Sequence, residues 1–299
     1  MLDLRRLRLL RELARRGTIT AVAEALSYSP SAVSQQLTAL EKETGMRLLE
    51  PAGRRVRLTA QADLLVTHTE VLLEAMDRAE AALAQSLNET VGTLRVAAFQ
   101  TAVLTLVPHA LTQLEHQHPR LRIEVIELEP EAALPALIAG EFDIVLGEEY
   151  PGHPLPRPRG TERRDLLTDE LRLVTPAAWS ERSLPELASR PFVMEPVGTT
   201  AREWATAACR QAGFEPDDRY TTTDLQIHLR LVERGLAAAL LPDLSGARDR
   251  HDVVTHRLPS RPERQIFTTV RRGAMGHPKL QAFTTALKPP AAQPRPERA

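Results

Sequence analysis

The first ninety residues place apolar side chains at helical intervals. Leu7, Leu10, Leu13 and Ala14 share one face of a predicted helix that Asp3 caps and Gly17 ends. Thr18 opens a second helix, with Ala21, Val22, Ala25 and Leu26 inward, and Ser27-Tyr28 makes the turn after it. Ser29 as N-cap and Pro30 at the first helical position open a third. Along it Val33, Leu37 and Leu40 recur at i, i+4 and i+7, the spacing of a core-facing stripe. Ser31, Ser34, Gln35 and Thr38 recur on the opposite side without a single acid among them. Solvated helix faces usually mix Glu, Lys and Arg. Short hydroxyls and amides suit a surface that hydrogen-bonds to a partner.

The segment "TGMRLLEPAGRRVRLTAQA" then alternates Arg54, Arg55 and Arg57 with Val56 and Leu58 around a Pro-Ala-Gly turn, which predicts a small hairpin with a basic rim. Residues 60–87 predict one long helix. On it Leu65, His68, Leu72, Ala75, Ala79 and Ala82 alternate steps of three and four, the seam of a coiled coil or the buried face of an intrachain helix.

From residue 91 strands alternate with helices. Predicted in order are strand 93–99, a helix from Thr101 to His116, strand 120–128, a helix ending at Gly140 and strand 142–147. Pro151, Pro154, Pro156 and Pro158 mark a surface loop. A second set follows: strand 171–176, a short helix near 183–190, strand 191–194, a helix opened by "EPVGTTAR", and a strand, helix and strand within 219–244. Strand 265–272 and helix 277–287 return to the first lobe. Two parallel-sheet lobes joined by crossing strands resemble periplasmic binding proteins, which close on small ligands.

The pattern divides the chain into a winged helix-turn-helix (1–59), a linker helix (60–88), a two-lobed α/β domain (89–288) and a Pro-rich tail expected to be disordered (289–299). Lobe 1 takes about 91–162 and 266–288, and lobe 2 about 163–265.

Charge sharpens the picture. The chain's net charge is −1, yet residues 1–58 hold ten Arg and one Lys against six acids, a net +5 that leaves −6 for the rest. A basic module on an acidic body points to a polyanion partner at one end. No apolar run is long enough to span a membrane, and the N-terminus lacks a signal-peptide core, so a cytoplasmic protein is expected. Cys209 stands alone, which excludes an intramolecular disulfide. His109, His116 and His118 fall on different faces with no acid or Cys cluster, so neither a metal nor another cofactor is expected. No phosphate-binding glycine loop and no nucleophile–base pairing is present, which argues against an enzyme.

Two short helices, a tight turn and a polar second helix describe a helix-turn-helix. Double-stranded DNA is the partner that explains the Ser/Gln stripe: such side chains reach base edges, and the helix start presents N–H groups to phosphate. The candidate DNA-binding set is Thr18, Ser29, Pro30, Ser31, Ser34, Gln35, Thr38, Arg54 and Arg55.

Ala21 to Leu26, Pro30-Ser31-Ala32-Val33-Ser34, Leu40-Glu41, Gly45, Leu48 and Leu58-Thr59 resemble the N-terminal signature of LysR-type transcriptional regulators. The chain departs from that pattern at Leu49, Glu50 and Pro51, where the family has Phe and a basic residue, and at Ala62, where it has Gly. The resemblance implies antiparallel pairing of linker helices in a homodimer or homotetramer, and a small-molecule effector between the lobes. RNA polymerase is a further candidate partner of such a regulator. It also places effector contacts at two helix starts, Thr101 in lobe 1 and Thr199 and Thr200 in lobe 2. Plain N-capping explains the same hydroxyls. Two helix starts converging on one cleft favour an anionic effector, with Arg202 as its counter-charge or simply a first-turn surface residue. Gln100, Gly147 and Asp224 join the candidates by their positions at element ends. The competing reading is a ligand-binding protein whose helical module contacts protein instead of DNA.

Overall fold

The computed structural model describes residues 1–26, 28–52, 55–87 and 90–288, with Arg55 described by its backbone alone. The tail 289–299, Ser27 and Arg54 lie outside the described residues.

Local signals build the N-terminal module. Asp3, Thr18 and Ser29 each accept from a backbone N–H of the first turn, from Arg5, Ala21 and Ala32 respectively. These caps start α1 (Leu4–Arg16), α2 (Ile19–Ala25) and α3 (Pro30–Thr44). Leu7, Leu10, Leu13, Val22, Val33, Leu37 and Leu40 close the core. Ala14 is exposed and Leu9 buried instead, because a later helix lies across α1 and broadens its inner face on that side. Strands β1 (Leu49–Ala52) and β2 (Arg55–Leu58) pair antiparallel as a wing, Leu49 opposite Leu58.

That later helix is α4 (Ala60–Gln85), capped by Thr59. Ala62, Thr69, Leu73 and Ala81 turn inward, and Leu65 packs on the N-terminal core instead of lying free on the predicted seam. The remaining seam positions His68, Leu72, Ala75, Ala79 and Ala82 are exposed, and Leu64, Val71 and Leu83 widen the stripe.

The C-terminal domain begins with β3 (Gly92–Ala98), α5 (Gln100–Leu104), α6 (Leu106–Gln117), β4 (Leu121–Glu127), α7 (Pro130–Ala139) and β5 (Ile144–Glu149). The single helix predicted from Thr101 to His116 is broken at Thr105, with φ −123° and ψ −60°. Pro108 explains the break, since it lacks the N–H that would donate to Leu104 and its ring crowds that carbonyl. Next come β6 (Thr161–Pro176), β7 (Pro191–Met194), α8 (Thr200–Gln211), β8 (Asp217–Thr221), α9 (Leu225–Glu233), β9 (Ala239–Pro242), β10 (Val253–Arg257), β11 (Glu263–Arg271) and α10 (Pro278–Ala286).

One lobe orders its strands β4-β3-β5-β11-β6, with β3 parallel to β4 and β5 and with β11 antiparallel to both its neighbours. β6 runs far longer than its predicted 171–176. Through Glu170 it pairs with β11, and from Leu171 onward it pairs with β9 and β10 in the other lobe. The pairing partner therefore changes later in the chain than the division near residue 163 read from the sequence. Both lobes are mixed rather than purely parallel, because the connecting strands β6 and β11 run against their neighbours.

The C-terminal domain docks on the N-terminal part. Arg11 is buried and donates from Nη2 to the Ile138 carbonyl at 2.8 Å, Gln85 donates to the Gly276 carbonyl at 2.7 Å, and Arg271 pairs with Asp77 at 3.4 Å. Gly273 adopts φ 89° against α4, where a Cβ would lie 2.7 Å from the Glu74 carbonyl oxygen, so only glycine allows this approach. Among the described residues no helix is long and apolar enough to cross a membrane.

Candidate functional site

On α3 the sequence pattern separates cleanly. Val33, Leu37 and Leu40 are buried, while Ser31, Ser34, Gln35 and Thr38 are all exposed. The Thr38 hydroxyl donates to the Ser34 carbonyl at 3.0 Å, and Ser29 and Ser31 hydroxyls lie 3.0 Å apart. Among the described residues the Ser34 and Gln35 side chains hold no hydrogen bond, which leaves them available to a partner in a groove. Thr18 and Ser29 serve as helix caps, and Pro30 occupies the first helical position as expected. On the wing, Arg57 faces Glu50 across the hairpin and pairs with it at 2.9 Å. An acid thus partly neutralises the wing where a basic residue would have reinforced it. Arg54 lies outside the described residues and the Arg55 side chain is not described, so the basic rim is represented by Arg57.

Between the lobes the sequence candidates meet in pairs. Gln100, at the start of α5, donates to Asp224 at 3.0 Å and accepts from Leu225 N–H at 2.9 Å, so one amide ties lobe 1 to the start of α9. Asp224 also caps α9 through Gln226 N–H. Thr200 donates across the cleft to Glu131 at 3.2 Å. Thr199 caps α8 by accepting from Arg202 N–H.

The other candidates are committed to the fold. Thr101 is 1% exposed, and its hydroxyl accepts from Arg264 Nη2 at 2.7 Å instead of capping the helix. Gly147 is buried under a ring, since a Cβ there would fall 2.5 Å from Phe267. Arg202 donates to the Glu195 carbonyl and pairs with Asp218, which removes it as a ready counter-charge.

What gathers in the cleft is acid. Arg264, 1% exposed, is held by Asp169 at 2.7 Å, by Glu148 and by Thr101. Burial opposes its charge, but Glu148, Tyr150 and Asp169 together raise its pKa. Burial likewise pushes the Glu148 and Asp169 carboxyls up, against the pull of the guanidinium. Beyond this set Glu129, Glu131 and Glu195 add three further carboxylates. Burial and repulsion from Glu148 push Glu195 up to about 7. Surrounding protein and then Glu148, Glu195 and Glu131 push Glu129 up to about 8, although solvent still reaches and screens its side chain.

This crowding carries a pH prediction. The folded values of Glu129 and Glu195 lie above the ordinary carboxylate value of 4.5, so the stability they contribute is lost as pH rises through about 7 to 8. Burial lowers His228, His256 and His277, so their opposing contribution is complete by about pH 6.5. Thermal melts should therefore fall from pH 6.8 to 8.5, and Glu195→Gln should flatten the fall. A wild-type profile that is level or rising in this window would refute the assignment.

Periodicity could not have found Glu129, Glu131, Glu148, Glu195 and Arg264. The dipeptide Glu-Pro precedes a helix at Glu129-Pro130 and Glu195-Pro196, but it recurs at Glu50-Pro51 and Glu215-Pro216 in or beside strands, so it does not single these acids out.

Comparison with known proteins completes the description. Residues 4–63 match the family described as "Bacterial regulatory helix-turn-helix protein, lysR family", and residues 87–291 match the "LysR substrate binding domain". Over 98% of this chain and 99% of the other, it is 28% identical to a probable HTH-type transcriptional regulator, LrrA, of Synechococcus elongatus. It is 26% identical to the transcriptional dual regulator GltC of Bacillus subtilis, covering 81% of each. A full-length OxyR variant from Pseudomonas aeruginosa superposes with a TM-score of 0.63 at 18% identity, over 98% of this chain and 99% of that one. Full-length CbnR bound to its target DNA gives 0.52 at 22% identity, over 96% of this chain and all of the other. At these identities the superpositions establish a common fold and nothing further.

Proposed function

The chain belongs to the LysR family of bacterial regulatory helix-turn-helix proteins, and from that premise we propose that α3 reads the operator while the interlobe cleft takes the effector. The observation that carries the first half is the exposed, acid-free stripe Ser31, Ser34, Gln35 and Thr38 over a fully buried opposite face. Ser34 and Gln35 reach base edges. Ser29, Pro30 and Thr18 set the helix starts against phosphate, and Arg54, Arg55 and Arg57 steady the wing on the backbone. The fact that CbnR has been solved on its target DNA supports this docking. Selection of duplexes from a random-sequence pool tests it: the full chain should enrich a sequence of two related half-sites, and an unenriched pool would contradict the reading.

The half-sites follow from assembly. Leu64, Val71, Leu72 and Leu83 are 61%, 58%, 47% and 72% exposed along α4, beside small Ala75, Ala79 and Ala82. A stripe of this kind buries itself against a second copy of the helix, which fixes two α3 helices on one duplex. Val71→Asp with Leu72→Asp should convert the dimer or tetramer to monomer in sedimentation at micromolar concentration. An unchanged sedimentation coefficient would remove α4 as the interface.

For the cleft, the contacts that bridge the lobes are the natural points of control. Gln100 to Asp224 and Leu225, and Thr200 to Glu131, must lengthen or re-form whenever the lobes move. An effector acts by favouring one closure over the other, and so one spacing of the paired DNA modules.

A further inference from the structure

Helix α7 has one end in the interlobe cleft and the other against the DNA-binding module. In its first turn Glu131 accepts from Thr200 of lobe 2 at 3.2 Å. Its last turn lies about 15 Å away, the length of ten helical residues. There the Ile138 carbonyl accepts from Arg11 Nη2 of α1 at 2.8 Å, and the Leu137 carbonyl accepts from Arg271, which also pairs with Asp77 on α4. Both carbonyls belong to the last turn, at the negative end of the helix dipole, where a guanidinium suits them. Along its length Ala133, Leu134 and Leu137 are buried against Ala97, Phe142 and Val145, so α7 moves with its sheet as one body.

Arg11 has little latitude. It is 8% exposed, its Nη2 is shared between the Ile138 carbonyl and Glu12, and its Nε has no partner among the described residues. Displacing α7 by about 1 Å would stretch the 2.8 Å bond out of hydrogen-bond range and leave a buried cation with Glu12 alone, which is costly. Apolar packing does not make up the difference. α1 and α7 belong to separate cores, and a cavity of about 420 Å³ lies beside the contact, between Glu12, Arg15 and Arg16 on one wall and Pro135, Ile138 and Pro158 on the other.

We infer that α7 carries the state of the cleft to the DNA-binding module of the same chain through Arg11. Lobe 2 acts on the start of the helix at Glu131, and the Arg11 bond at its end makes α1 follow or lets it go. Operator affinity then depends on lobe closure within one subunit, apart from any change in how subunits pair. That last step rests on α3 being the reader and the cleft being the point of control; the coupling of Glu131 to Arg11 does not.

Hydrogen exchange, with neither DNA nor effector present, tests the coupling. Glu131→Cys with Thr200→Cys gives two reachable thiols, whereas Cys209 is fully buried and its thiol is pushed up to about 12. A short bis-maleimide joins the pair and holds the lobes in contact there, and N-ethylmaleimide on both leaves them free. Amides of residues 11–16 should exchange about threefold or more slowly in the joined chain than in the capped one. Those of α6, which packs on α10 and β4 in the same lobe, should not follow. Arg11→Met should abolish the difference, leaving α1 equally fast in both chains. Glu12 keeps Arg16 at 3.2 Å, so this variant strands no acid. Equal α1 exchange in joined and capped chains overturns the proposal, as does a difference that survives Arg11→Met or one that α6 shares equally. Should Arg11→Met fail to fold, the contrast between α1 and α6 in the double-cysteine chain decides. Operator shift assays on the joined and capped chains separate the two readings. If α1 responds while operator affinity stays the same, the coupling stands and the cleft loses its role in DNA binding.

Discussion

Replacing Ser34 and Gln35 together with Ala should abolish most of the protein's preference for its operator. Both side chains are exposed on α3 and, among the described residues, free of internal hydrogen bonds, so their removal costs the fold little. Each base-edge contact is worth about 1–3 kcal/mol of discrimination, so the pair should cost roughly 30-fold or more in the ratio of operator to random DNA. Binding to random DNA should stay close to the parent's, because phosphate contacts supply it, and the dependence on salt should keep its slope. Arg57→Ala should behave in the opposite way, weakening all sequences alike and flattening that slope. Competition shift assays over a salt series separate the two patterns. A double variant that keeps full operator preference would show that α3 is not the reader.

The second large effect concerns Arg264→Met. Arg264 is fully buried, touches Glu148, Asp169 and Thr101, and lies on β11, the strand that joins the lobes. Removing it strands two acids whose carboxyls burial already pushes up. Breaking a buried pair in this way costs about 3–5 kcal/mol, a large share of the roughly 5–15 kcal/mol that holds a domain together. Denaturant melts at pH 7.5 should show that loss. The deficit should shrink as pH falls toward the ordinary carboxylate range near 4, because raised folded-state values mean that protonation relieves the stranded acids. A deficit under about 1 kcal/mol, or one that grows as pH falls, would mean that Arg264 does not carry the charge balance of the cleft.

These two predictions draw on parts of the molecule that the sequence discloses very unequally. The helix-turn-helix is legible because its signals are local: Asp3, Thr18 and Ser29 cap helices within a few residues of the stripes they start. The exposed seam of α4 is legible for the same reason, and Leu65 is misread only because another element covers it. The first half of β6, "TERRDLLTDE", lies ahead of the strand predicted at 171–176, and it is a strand because β11 pairs along its whole length. β10 is missed likewise, since the short and polar "VVTHR" acquires its conformation from β6. Thr101 looks like a cap in sequence, yet α5 is preceded by Phe99 with no side-chain cap, and the hydroxyl serves an arginine 163 residues away. Contacts at that separation leave no periodic trace. The acid cluster belongs to the same class, because its members come from both lobes and meet only when the lobes do.

The account turns on whether this protein distinguishes one DNA sequence from another, and a ratio of affinities measures that directly. The operator recovered by selection and a scrambled duplex of equal length should be titrated with the full chain at about 0.15 M salt. The account predicts a ratio of at least about a thousand, with a two-half-site duplex bound more tightly than either half alone. A ratio near one, or a half-site bound as tightly as the whole, would contradict it.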